Sequence, residues 1–233
     1  MQPDDLSVDS IARFAWPDFG DPLRISGLVE MAQRYHAAGY AVVIKDPFAG
    51  IFEMSQRIIG MEPLLMMTCS EPKRAALLFY KMVELKLAFW EMALPRLAGL
   101  VDVVAQMDDY GTQTSQLISP SMFRNQIKPR LQTLFNRIHQ LVPEALCFFH
   151  SCGNVRPIIP DFIEIDVDIL NPIHIRAAGM NAAELKHDFG SQLVFWGGGF
   201  VFSAAHNIQA DVPPQNLEAL LKTLQTYSVS LLV

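Results

Sequence analysis

The sequence predicts an α/β fold, a parallel sheet covered by helices and closed as a (β/α)8 barrel. Three observations carry this reading. Helix-like and strand-like segments alternate along the chain. The strand-like segments are continuous apolar runs, as strands buried on both faces require. Chemically unusual residues fall where those runs end, and a barrel keeps its chemistry at the carboxyl ends of its strands. These residues are Asp108 and Asp109, His150 and Cys152, Asn171, and Gly197-Gly198-Gly199. No GxGxxG or phosphate-loop glycine pattern marks a nucleotide-binding sheet instead.

Taken in order, residues 22–38 have apolar positions at helical spacing and stop at Gly39, a residue suited to a helix C-terminus. The run YAVVI at 40–44 is a short β-branched strand. Residues 72–94 form a long amphipathic helix, with Ser70 or a neighbour as its N-cap. A strand over 101–107 breaks into Asp108-Asp109-Tyr110-Gly111. Ser119-Pro120 opens a helix, and Pro129 predicts a break before a second helix that runs to about 140. Next come a strand over 146–151, a helix over 155–163, a strand over 168–170, a helix over 181–188 and a strand over 192–196. Pro213-Pro214 precedes a last helix through about 226. About five strands are legible, fewer than the eight of a full barrel.

The 233 residues suffice for one substantial core, and the whole of 1–233 is expected to be a single domain. The chain is 51% hydrophobic and 18% charged, the balance of a globular protein. A net charge of −6 without a basic stripe excludes a nucleic-acid surface. The apolar runs are too short to cross a bilayer, and the first ten residues lack the apolar core of a signal peptide. Three cysteines form no even disulfide framework and fit a reducing compartment. A cytoplasmic enzyme is expected.

Among the strand-end residues, His150 and Cys152 stand two apart, so on a strand they point the same way. Imidazole beside thiolate suits a soft divalent cation, zinc above all. The bland alternative is a buried histidine bonded to a backbone carbonyl beside an inert core cysteine. A third ligand is sought in His206, with His174 as a second candidate; Cys147 lies on the opposite strand face, and Cys69 is expected to pack in the interior. Asp108 and Asp109 can act as general acid or base or orient a substrate; equally, one can cap a turn while the other is solvated. The Gly197–Gly199 run allows close backbone approach to a ligand. Phe48, Phe52, Met54 and Met61 can line an apolar pocket but more often form core. His36, His139 and His187 are expected at the surface.

Together these residues carry a resemblance. DDYGTQ (108–113), ISPSMF (118–123), IKPRL (127–131), FHSCGNV (149–155), DILNP (168–172), GMNAAELKHDFG (179–190), FWGGG (195–199) and HNIQADVPPQNL (206–217), in that order, resemble the uroporphyrinogen decarboxylase superfamily over residues 10–226. The resemblance implies a (β/α)8 barrel. It also implies either a tetrapyrrole decarboxylase or a zinc-containing methyltransferase that works with a corrinoid protein. The decarboxylases carry an arginine-rich segment near the N-terminus, roughly RQAGRY, which grips propionates; this chain has none. The methyltransferase branch holds zinc with a His-x-Cys pair, matched by His150 and Cys152, and a later cysteine, where this chain offers His206. That histidine also resembles the substrate-facing histidine of the decarboxylases. The resemblance therefore favours zinc-assisted methyl transfer with a corrinoid on a partner protein. Asp108, Asp109 and His206 would serve the reaction, while Gln113, Asn171, Gly197 and Gly198 would contact substrate. Family members usually have a longer N-terminal part and a final strand. The chain is accordingly expected to be a fragment or a reduced homologue and, if it is whole, to be unstable or to form homo-oligomers. The remaining reading is a degenerate barrel kept for binding.

Overall fold

The computed structural model describes residues 2–197 and the isolated positions 215 and 222. The sheet and its helices belong to one compact unit, Met1–Ser203. Apart from Gln215 and Lys222, which are helical, the expected last helix lies outside the described residues, as do His206, Gly198 and Gly199.

Five parallel strands form one sheet in chain order: β1 (Val43–Lys45), β2 (Val103–Met107), β3 (Leu146–His150), β4 (Ile169–Asn171) and β5 (Val194–Phe195). Consecutive parallel neighbours joined through helices are the sequence of a barrel wall; a doubly wound sheet reverses its order. Before β1 come α1 (Val8–Arg13) and α2 (Leu28–Ala37). Between β1 and β2 lie α3 (Ile51–Ile59), α4 (Met61–Ser70) and α5 (Pro72–Leu97). The connection from β2 to β3 holds α6 (Pro120–Met122), a π-helical turn (Phe123–Ile127) and α7 (Lys128–Leu141). Next, α8 (Ile159–Glu164) joins β3 to β4, and α9 (Ala182–Phe189) joins β4 to β5.

The register decides which residues share a face. Met107 pairs with His150 and Ala105 with Phe148, while His150 pairs with Asn171. Phe148 and His150 therefore share one face with Ala105, Met107 and Asn171, where Phe148 meets Trp196 edge-on at 5.5 Å. Cys147 and Phe149 point to the other face. Phe149 packs there against Phe135 of α7 and Phe162 of α8, inside the core between sheet and helices. On that same face Lys86 of α5 is buried, with Nζ 2.6 Å from Asp46 Oδ2 and 3.2 Å from Gln106 Oε1.

Several boundaries differ from the sequence reading, for local reasons. The helix expected over 22–38 is a 3₁₀ turn (Pro22–Ile25) and then α2, separated at Gly27, whose φ is +76°. The N-cap position of the long helix falls on Glu71, the neighbour of Ser70, as the sequence allowed, without a side-chain capping bond; Ser70 ends α4, its hydroxyl donating to Met66 O. Pro129 does not break the chain into two helices. It lacks an N–H for the usual ladder, and the π-helical turn before it absorbs the register change, so one helical path continues from 120 to 141. Helices α3 and α4 were not legible. Phe52 is core, Phe48 and Met54 pack against that core, and Met61 is exposed. Cys69 is exposed rather than packed, and His139 is half-buried rather than superficial.

Candidate metal centre

Residues from three strand ends build the site. The backbone continues from β2 into Asp108, Asp109 and Tyr110, with Asp108 N–H donating to His150 O at 2.9 Å. Gly111 and Gly153 let the loops after β2 and β3 interlock. A Cβ on Gly153 would lie 2.5 Å from the Gly111 carbonyl carbon, and its φ of +83° suits glycine alone. Asn154 N–H bonds Thr112 O at 2.8 Å across the same crossing. This contact brings Asp109 beside Cys152: Cys152 N–H donates to Asp109 Oδ1 at 2.8 Å.

One ring nitrogen of His150, Sγ of Cys152 and one oxygen of Asp109 all lie within 4.8 Å of one another. His150 Nε2 is 3.4 Å from Cys152 Sγ and 4.0 Å from Asp109 Oδ1. The opposite ring nitrogen, Nδ1, lies 2.6 Å from Asn171 Oδ1. The amide of Asn171 is itself oriented, because its Nδ2 donates to Trp196 O at 2.8 Å. Its oxygen therefore faces the imidazole, Nδ1 carries the proton, and the Nε2 lone pair is presented to Cys152 and Asp109. A histidine held this way is pre-set as a metal ligand. Burial pushes the Cys152 thiol up to about 12, and Asp109 and Glu53 add to the rise. Without a cation that thiol is protonated and weakly nucleophilic. Nitrogen, sulfur and oxygen donors of this kind fit zinc.

The two adjacent aspartates part company. Asp108 is fully buried and turned away from the cluster. It accepts Phe52 N–H at 2.7 Å, Glu53 N–H at 2.8 Å and the Tyr110 hydroxyl at 2.7 Å. Those amides open α3, whose own N-cap, Gly50, offers no side chain, so Asp108 caps the helix from another strand. A Cβ on Gly50 would lie 2.0 Å from Asp108 Cγ. Burial pushes the Asp108 carboxyl up to about 7 against the pull of these donors.

Of the other expected site residues, Gln113 Nε2 lies 3.2 Å from His174 Nε2, so these two pair with each other. Gly197 supplies a carbonyl to Ile173 N–H at 3.3 Å. His206 lies outside the described residues. Asn171 as the orienting partner of His150, and Tyr110 as the donor to Asp108, were not foreseen.

A sheet in barrel order, with its donor cluster at the carboxyl ends of the strands, defines the class of protein. The family model described as uroporphyrinogen decarboxylase (URO-D) matches residues 47–194 of 233, well over half of the chain. The chain belongs to that family. No curated protein matches the sequence. Among solved structures it is similar to a methyltransferase from Methanosarcina mazei, with TM-score 0.56 and 16% identity over 96% of this chain and 68% of that one. At that identity the likeness concerns the fold. Among the described residues no helix is long and apolar enough to cross a membrane.

Proposed function

We propose that this protein is a zinc-assisted methyltransferase that exchanges a methyl group between a corrinoid carried on a separate protein and a small acceptor or methoxylated donor. The observation that carries the reading is the convergence of Asp109, His150 and Cys152 within 4.8 Å, with His150 oriented by Asn171. His150 Nε2 and Cys152 Sγ would hold the metal, joined by Asp109 or by His206. A bound zinc supplies Lewis acidity that stabilises the anion of a thiol or hydroxyl near neutral pH. The chain's own residues do the rest. Asn171 keeps the proton on Nδ1 and the ring in place. With His206 as the third ligand, Asp109, whose side chain is 39% exposed, would orient the acceptor and take its proton. The buried carboxyl of Asp108 fixes α3 beneath the site. The Gly197 turn and its two following glycines would let backbone approach the substrate.

The test combines metal and turnover. Purified protein should contain zinc, and His150→Ala or Cys152→Ala should remove one equivalent. Methylcobalamin should be demethylated in the presence of a small thiol by the wild type but not by either variant. Conversion of uroporphyrinogen, undiminished in zinc-free protein or in these variants, would overturn the reading in favour of a decarboxylase.

A further inference from the structure

A second histidine, cysteine and carboxylate meet on the other side of the same strand. One ring nitrogen of His139, Sγ of Cys147 and one oxygen of Asp168 lie within 4.8 Å of one another. His139 is on α7, Cys147 is the second residue of β3, and Asp168 immediately precedes β4. Cys147 shares its face with Phe149, toward the helices, whereas His150 points the opposite way. The two clusters are thus separated by the sheet and belong to opposite ends of β3.

The second cluster repeats the construction of the first. Asp168 Oδ2 accepts the Cys147 N–H at 2.7 Å, as Asp109 Oδ1 accepts that of Cys152 at 2.8 Å. His139 Nδ1 lies 3.0 Å from Phe135 O, as His150 Nδ1 lies 2.6 Å from Asn171 Oδ1. An acceptor at Nδ1 places the proton there and leaves Nε2 basic, the form in which a histidine ligates. Each of these contacts is ordinary alone: a strand-start aspartate taking an amide, a helix histidine bonded one turn back, a buried thiol. None of them requires the three ligand types to converge. A helix, a strand and the residue opening the next strand each contribute one, and all three are intermediate or buried.

We propose that His139, Cys147 and Asp168 form a second cation site, for zinc by its donor set, which ties α7 to the amino ends of β3 and β4. Binding takes Cys147 as its thiolate and releases its proton to solvent. Thiolate and carboxylate then balance the charge of the divalent ion. The role is structural, because the site joins elements at the end of the sheet away from the strand-end cluster.

The test uses the full chain carrying His150→Ala and Cys152→Ala, which removes the nitrogen and sulfur of the first cluster. After chelation, reloading with zinc and desalting, bound metal is counted by mass spectrometry. Reloading with cobalt is followed through the thiolate-to-cobalt charge-transfer band. About one equivalent of zinc and a clear band are expected in this double variant, with a higher melting temperature when zinc is present. Both signals should vanish on adding either His139→Ala or Cys147→Ala. The half-buried His139 is the safer of these two changes, since Cys147 is part of the core. A cooperative melt of that variant shows that it folds. A double variant that holds no zinc overturns the proposal. So does one whose zinc and charge-transfer band survive His139→Ala.

Discussion

His150 and Asn171 face each other across β3 and β4, Nδ1 to Oδ1 at 2.6 Å, and this contact sets which nitrogen of the imidazole faces the cysteine. The register makes it possible, because the two residues are direct partners in the parallel pairing. The amide cannot turn over without setting its N–H2 against the imidazole and losing its bond to Trp196 O.

Asn171→Ala should therefore weaken zinc binding by about 10–100-fold while leaving all proposed ligands in place. Competition with a chromophoric chelator measures this. Unchanged affinity would mean that the amide does not orient the ligand.

Asp109 raises the Cys152 thiol electrostatically as well as holding its backbone. Asp109→Asn removes the charge and keeps an oxygen for the Cys152 N–H. In metal-free protein the thiol pKa should fall, so alkylation by iodoacetamide at a given pH should be faster than in the wild type. Equal rates across the pH series would count against the coupling.

The site was only partly legible in the sequence. His150 and Cys152 were placed on one face because strand periodicity is strict, and the strand ends were marked by loss of apolar character. What joins them to Asp109 is the crossing of Gly111 and Gly153, a contact between loops some forty residues apart that no local pattern reveals. The division between Asp108 and Asp109 has the same origin: α3, whose amides Asp108 receives, was not visible, because its N-cap is Gly50, which offers no side chain. Pro129 misled because proline forbids a ladder bond but not a π-helical turn. His139 looked like a surface residue from its polar helical neighbours; only the packing of α7 on β3 sets it beside Cys147.

The raised Asp108 carboxyl predicts a pH dependence of stability. A folded-state pKa of about 7, above the ordinary 3.8, means that the folded protein binds this proton more tightly than the unfolded chain. The contribution is fully present below the unfolded pKa and is lost as pH rises through about 7. Between pH 5 and 7 the wild type should lose stability relative to Asp108→Asn, with a differential slope of at most about 1.4 kcal/mol per pH unit. Urea midpoints of both proteins across that range give the slope. Parallel curves would show that Asp108 is ionised throughout by its amide donors.

Lys86 and Asp46 form a buried ion pair in the helix–sheet layer, at 2.6 Å, with their side chains 1% and 0% exposed. Burial raises the Asp46 carboxyl, and Lys86 opposes that rise. The ammonium also sits 4.5 Å from the centre of the Phe48 ring. Lys86→Met leaves a buried carboxylate without its cation and should cost about 3–5 kcal/mol at neutral pH. Part of that loss should return as pH falls, because the unpaired Asp46 takes up a proton more readily in the folded state. Adding Asp46→Leu should recover most of it, since an apolar pair of similar volume often matches a buried ion pair. Urea unfolding of the three proteins at two pH values tests this. A single variant as stable as the wild type would show that Asp46 does not persist as a buried unpaired charge in the layer holding β1 and β2 against α5.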